Sequence, residues 1–434
     1  MVGAYVEPTS TPGRSVAGAL VTVTTEDVGR ELRRLRRAAG ETQAELAGII
    51  GVSRANLTQW ETGKYLPSSH NAQQLDDHFQ AGNTLVSLAE AARSPRDESP
   101  AAGLSGVVDT TGSVLQVFGQ VGRSLAEHLI RDERGRALGW RHNLQKTSGH
   151  TALASAYGIS AMSVVGEPYI DLHSIAENLY EMRTEYGWQG RSGGRRPETT
   201  AAAVDALCRV STLLSADEGL AYLERSLDDF SRTRPFLLSS VLCTAVRLRP
   251  DAPLTLALVD DLLSARLDFD GALLWPEKSD RSLVAPEPSA VHTARAVVAL
   301  REVLRNGAER TDVRDAVDQG TQWLIDHTHP DDNVTEELVR EKASETGATR
   351  TAIRHFTSAW VVQALVCAPR VPLPRIERAL SSLWERYQPG LGLWAWGSGD
   401  LPIRMTLDAV TALRVAALAL VTASIPPSGE WHRP

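Results

Sequence analysis

The 434-residue chain reads as all-α, a small helical domain followed by a larger one. Three observations predict this. Capped, amphipathic helical segments fill residues 24–93, and a stretch rich in Pro, Ser, Gly and charge, residues 94–106, interrupts them. Beyond it one small-residue motif returns at helical spacing through residues 107–422, with few strand signals. Residues 1–23 read as a flexible N-terminal segment and 423–434 as a tail.

Bulk composition narrows the classes of function. No run approaches the ~20 apolar residues of a membrane helix. The patch "VAGALVTV" after Arg14 lacks a small-residue cleavage site and runs into a charged helix, unlike a signal peptide. Three scattered cysteines, Cys208, Cys243 and Cys367, do not make a disulfide framework, which fits a reducing cytoplasm. The net charge is −8, and residues 1–94 hold nine basic against ten acidic side chains. Any nucleic-acid contact must therefore come from a local face rather than from the field of the whole molecule.

In the first domain, "TTEDVGRELRRLRRAAG" opens with Thr24 or Thr25 as N-cap and acidic residues in the first turn, where the helix dipole favours them. Val28, Leu32, Leu35 and Ala39 share one stripe, and Gly40 ends the helix. A second helix starts after Thr42 with Glu45 three residues on, and buries Leu46, Ala47 and Ile50. Gly51 and Val52 make a tight turn. Ser53 caps a third helix whose Leu57 and Trp60 face inward, leaving Arg54, Ala55, Asn56 and Gln59 outward.

An outward face of this kind suits base reading: Arg pairs bidentately with guanine, and Asn or Gln with adenine. Gln43, Ser53, Thr58 and Lys64 are placed for phosphate contacts, which hold register without carrying sequence information. The run from Leu32 to Phe79 resembles the Cro- and phage-repressor-type DNA-binding domains, the XRE family. The resemblance implies a five-helix helix-turn-helix domain, with last helices near 69–79 and 83–93. It also implies that Glu61 pairs with a helix-one arginine, Arg33 or Arg34. "SSHNAQQLDDHF" departs from most relatives, whose fourth helix is apolar. The alternative is a helix pair that packs only against another protein.

In the second domain, "TAAAVDAL" (200–207), "TARAVVAL" (293–300) and "TLDAVTAL" (406–413) share the frame T-x-x-A-x-x-A-L, and "SAWVVQAL" (358–365) nearly so. "SSVLCTAV" (239–246) and "TALASAYG" (151–158) fit loosely, and longer amphipathic segments lie between them. Small residues at this spacing let helices approach closely. Six small inner helices alternating with six outer ones would close an (α/α)6 barrel; a solenoid is the alternative. Gly139-Trp140, Gly187-Trp188, Leu274-Trp275 and Leu393-Trp394 precede inner helices. With the repeat starts, these turns resemble the alpha-alpha toroids of terpenoid cyclases and protein prenyltransferases, at the level of fold.

The acid motif and metal-binding aspartates of those enzymes have no counterpart. "DFDG" (268–271) and "PDDNVTEE" (330–337) read as solvated loops, and neither a metal site nor a cofactor is expected. His150, His292 and His355 stand before or at the start of inner helices, as do Arg234, Arg354 and Arg404, and Arg191, Arg195 and Arg196 fall in a glycine-rich loop. Helix N-termini and cations together favour an anion. The expectation is a pocket for an anionic or amphipathic ligand, with Trp360 on its wall; the alternative is that these arginines pair with the domain's acidic excess.

The expected function is a cytoplasmic, homodimeric regulator that binds double-stranded operator DNA and senses a small ligand or partner protein through the ring, without catalysis. The alternatives are a toroid cyclase or transferase tethered to a DNA-binding head, and a non-catalytic interaction subunit of a defence or stress system.

Overall fold

The chain divides into two compact units, residues 1–98 and 99–434. The computed structural model describes residues 25–52, 54–64, 66–67, 69–93, 100–166, 170–189, 195–269, 271–279, 287–307, 310–327, 334–341, 348–366, 368 and 373–424. The expected N-terminal segment 1–23, the tail beyond 424, Ser53, Arg191 and Cys367 lie outside them.

Five helices build the first unit: α1 (Thr25–Ala38), α2 (Gln43–Ile50), α3 (Arg54–Glu61), α4 (Ser69–Phe79) and α5 (Thr84–Arg93). Val28, Leu32, Leu46, Leu57, Leu75 and Leu85 form its core with Trp60. Ala39, read as part of the α1 stripe, lies past the helix end and is exposed. Thr42 and Glu45 form a reciprocal capping box, and Gly51, at φ 73°, sends its N–H back to the Ala47 and Gly48 carbonyls. The polar sequence of α4 has a structural use. Asp76, 2% exposed, accepts from the Leu85 and Val86 N–H groups at 2.9 and 2.8 Å, so α4 caps the N-terminus of α5.

The second unit runs outer helix, turn, inner helix six times. Outer α6 (Pro100–Glu127) leads through β1 (Ile130–Arg131) and β2 (Ala137–Gly139) to inner α7 (Ala152–Val165). Residues 100–106, read from sequence as linker, are thus the start of α6. Outer α8 (Leu172–Glu181) precedes inner α9 (Pro197–Val210). Outer α10 (Ala216–Ser226) and the single turn α11 (Asp229–Arg232) precede inner α12 (Pro235–Leu248). Outer α13 (Pro253–Ser264), β3 (Leu267–Phe269) and β4 (Ala272–Leu274) precede inner α14 (Ala290–Arg305). Outer α15 (Thr311–His327), β5 (Thr335–Glu341) and β6 (Ala348–Arg354) precede inner α16 (Thr357–Val366). Outer α17 (Leu373–Glu385), β7 (Tyr387–Gln388) and β8 (Leu393–Trp394) precede inner α18 (Ile403–Ser424). Each inner helix touches the next in order, and α18 returns to α7. The ring closes as an (α/α)6 barrel, not a solenoid.

The repeat frame explains the closure. Thr200, Thr293, Thr406 and Ser358 at its first position, the alanines at its seventh and the leucines at its eighth are all buried between helices. The four tryptophans form a recurring latch. Trp140, Trp188, Trp275 and Trp394 are fully buried, and each indole N–H donates to a carbonyl in the last turn of the preceding outer helix: Leu125, Leu179, Leu262 and Leu383, at 2.6–3.0 Å. Each latch gives a carbonyl near a helix end, where intrahelical donors run out, a side-chain donor; the Leu179 and Leu383 carbonyls also accept from the Met182 and Arg386 N–H groups. Gly158 exists for the first of them, since a Cβ there would lie 2.1 Å from the Trp140 ring.

The antiparallel β5–β6 hairpin, with Thr335 opposite Arg354, was not anticipated from the sequence. Its arrangement corrects the reading of "PDDNVTEE" as a solvated loop for residues 334–337, where Glu336 is wholly buried; residues 330–333 lie outside the described ones.

Candidate functional site

Two sites follow from this architecture, one on each unit. In the head, α3 carries Arg54 and Asn56 exposed and Gln59 and Thr58 half-buried, and Lys64 is exposed just beyond it. The Ala55 side chain, like Ser53, is outside the described set. Beneath this face lies a buried carboxylate. Glu61, 3% exposed, accepts from Arg36 at 2.5 and 3.1 Å and from Gln43 at 2.9 Å. Arg33 stands 3.8 Å from the same carboxylate and donates to the Glu61 carbonyl at 2.6 Å. Arg36 is thus the main partner, Arg33 a lesser one, and Arg34 instead pairs with Glu31 at 2.6 Å. Burial alone would raise the Glu61 pKa, yet the Arg36 and Gln43 hydrogen bonds hold it below the usual carboxylate range. Thr58 Oγ1 donates to Gln43 Oε1 at 3.3 Å, so one chain of contacts ties α1, α2 and α3. It fixes the α2–α3 angle, and with it the presentation of α3.

In the ring, two cavities follow the barrel axis. The first, about 280 Å³, lies where the inner helices begin, and Arg196, Glu198, Arg354, Trp396, Arg404 and Asp408 are among its lining residues. Arg354 stacks 4.1 Å over Trp396, while Arg196 pairs with Glu198 at 3.3 Å. The second, about 380 Å³, reaches toward the opposite mouth past Trp360, Arg295, Asp205 and Arg247. Tyr157, Glu198, Arg404 and Asp408 line both. Burial raises the pKa of Asp408, against the pull of the Arg404 and Arg295 charges.

The ligand-pocket residues read from sequence separate into three places. Arg196, Arg354 and Arg404 line the first cavity, and Trp360 lines the second. Arg234, His292 and His355 lie in a buried cluster with Glu336. His150 is bonded to Asn178 at 3.2 Å and Arg195 to the Leu227 carbonyl at 3.3 Å, and neither is among the lining residues of the two cavities.

In that cluster both imidazole Nε2 atoms approach Glu336 Oε2, His292 at 3.3 Å and His355 at 3.2 Å, and Arg234 approaches Oε1 at 3.3 Å. Two imidazoles and a carboxylate, with donor atoms all within 4.8 Å, are a ligand set for a divalent cation. The guanidinium of Arg234 argues against that use, because a dication would then share buried space with a second cation. The Glu336 charge is balanced by Arg234. Burial opposes ionisation of Glu336, but the two imidazole bonds hold its pKa far below the usual range, and burial pushes His355 well below its own. The cluster reads as a pin holding the β5–β6 hairpin to α12, α14 and the start of α16.

Arg295, Glu198, Asp408 and Glu336 escaped the sequence reading. A signal existed for two of them. Arg295 and Asp408 both occupy the third position of the repeat frame, where Trp360 also stands. That position, one of the frame's variable ones, faces the barrel axis.

Among the described residues no helix is long and apolar enough to cross a membrane. No curated protein matches the chain in sequence. A solved structure of a family 76 glycoside hydrolase from a bovine Bacteroides thetaiotaomicron strain is similar at a TM-score of 0.47 and 10% identity, covering 72% of this chain and 78% of that one. Residues 27–89 match the family model described as a helix-turn-helix domain, so the first unit is a helix-turn-helix domain.

Proposed function

We propose that the chain is a sequence-specific DNA-binding transcription regulator of the XRE type, whose ring senses a ligand. The observation that carries this reading is the head: α3 presents Arg54, Asn56 and Gln59 outward, over a buried Glu61–Arg36–Gln43 network that sets its angle. Arg54, Ala55, Asn56 and Gln59 read bases; Gln43, Ser53, Thr58 and Lys64 hold phosphates. The protein works in the cytoplasm as a homodimer on two half-sites about 34 Å apart. The ring acts as a sensor and not as an enzyme, binding an anionic or amphipathic molecule along the barrel axis.

Footprinting of the purified protein on DNA around its own gene tests the reading. A pair of protected half-sites, lost or blurred in Arg54→Ala and Gln59→Ala, is the expected result. Equal loss on specific and random DNA for Arg54→Ala would remove the assigned recognition face, and no protection on any fragment would leave the helix pair as a protein contact.

A further inference from the structure

We propose that Arg295 anchors a ligand site in the second cavity, for a small oxyanion that carries an apolar body. The proposal rests on the sensor reading of the ring and names the ligand chemistry of that sensor.

Arg295 stands in the second turn of α14, lines the cavity and is 6% exposed. Its Nη2 donates to Ser240 Oγ at 2.8 Å, but Nε and Nη1 are buried with no hydrogen-bond partner among the described residues. Those two atoms carry three N–H groups with no acceptor among the described residues. The guanidinium carbon stands 3.8 Å from the Trp360 ring centre and 4.7 Å from that of Phe236. The aromatic faces thus hold its plane, while Nε and Nη1 stay unengaged among the described residues.

The acids nearby are already committed. Asp205 is bound by Arg209 at 2.8 Å and Arg247 at 2.6 Å, Glu198 by Arg196 at 3.3 Å, and Asp408 has Arg404 at 3.8 Å. Among the described residues, none comes within ion-pair distance of Arg295. Taking a cation out of water is expensive unless it is paired, and aromatic stacking offsets only part of that. Burial, aided by the Arg404 charge, draws the Arg295 pKa down to about 10, which leaves it charged at neutral pH. A buried charge with two unpartnered nitrogens, on a residue that lines a cavity, is a binding group for a counter-ion.

The donors call for an acceptor-rich anion, and the walls for an apolar body. Val164, Val298, Leu407 and the Trp360 face line the same space. About 380 Å³ holds roughly a dozen groups of water size at about 30 Å³ each. A carboxylate and a phosphate monoester share the required chemistry.

The test uses the full chain without DNA, so its failure would leave the DNA-binding reading intact. Calorimetry and thermal unfolding are followed with benzoate, phenyl phosphate, inorganic phosphate and, as the cationic control, benzylammonium. One aromatic oxyanion should bind saturably, one per chain, and raise the unfolding temperature; benzylammonium should do neither. Tighter binding of benzoate marks a carboxylate ligand, and of phenyl phosphate a phosphorylated one. Arg295→Met should abolish binding while unfolding at or above the wild-type temperature, since it removes an unpaired buried cation. The charge-retaining Arg295→Lys should weaken binding at least tenfold, about 1.4 kcal/mol. The proposal is overturned if neither aromatic oxyanion binds, if inorganic phosphate binds as tightly as both, or if Arg295→Lys binds like wild type. A fall in the unfolding temperature of ligand-free Arg295→Met would likewise overturn it, by making Arg295 a structural residue.

Discussion

Glu61 is buried yet stays ionised, because Arg36, Gln43 and Arg33 converge on it. Its folded pKa is depressed. The associated stability is therefore fully present above the unfolded glutamate pKa of about 4.3 and is lost as pH falls through the folded value. Glu61→Gln leaves Arg36 without its charge partner and should destabilise the head by about 3 kcal/mol at neutral pH. It should also flatten the loss of stability on acidification. Urea unfolding followed from pH 7 to pH 3 measures both, and parallel pH slopes in the two proteins would contradict the assignment. On the outer face the roles differ in kind. Arg54→Ala should lose about 1–3 kcal/mol of discrimination between operator and mismatched DNA. Lys64→Ala should weaken all sequences alike and lower the salt dependence of binding. Competition binding at several salt concentrations separates the two. The sequence told that Glu61 meets an α1 arginine, but not that it is Arg36: helical spacing places Arg33 and Arg36 on adjacent faces, and only the crossing angle of α1 and α3 decides which side chain arrives.

At the scale of elements, the tryptophan latches tie four of the six outer helices, α6, α8, α13 and α17, to the turns that lead into the inner helices after them. Trp188→Phe keeps the ring and deletes the indole donor to the Leu179 carbonyl. The Leu179 carbonyl keeps the Met182 N–H at 3.2 Å, so losing the indole bond should lower stability by about 0.5–1.5 kcal/mol. Trp140 differs because Gly158 lies against its ring. Gly158→Ala should cost about 1–3 kcal/mol or more by overpacking, and combining it with Trp140→Phe should cost less than the two separately. Thermal unfolding of the three variants reads this coupling, and strict additivity would place the two residues out of contact. The inner helices were legible because frame positions that pack between neighbours need small or apolar residues at fixed spacing. The β5–β6 hairpin was not. "TEELVRE" and "ATRTAIR" are polar, and what seats them is Glu336 meeting His292, His355 and Arg234 from three other segments. No local pattern announces a buried carboxylate whose partners lie 19 to 102 residues away.

For the whole molecule, the decisive quantity is the coupling between two separately packed units. Each has its own hydrophobic core, so a ligand in the ring can alter DNA affinity only through its differential affinity for states that bind operator differently. Thermodynamic linkage makes the effect reciprocal. If benzoate changes operator affinity by some factor, saturating operator must change benzoate affinity by the same factor, within the range of about 5- to 150-fold common for such couplings. Operator titrations with and without benzoate give one side of the cycle, and calorimetric benzoate titrations with and without operator give the other. Arg295→Lys should shrink both factors toward one at a fixed benzoate concentration, while Arg54→Ala should leave benzoate binding to the DNA-free protein unchanged. Matching factors that vanish together would make the ring the sensor of the head. Benzoate binding with both factors equal to one would mean that the barrel holds its ligand for a purpose other than governing DNA.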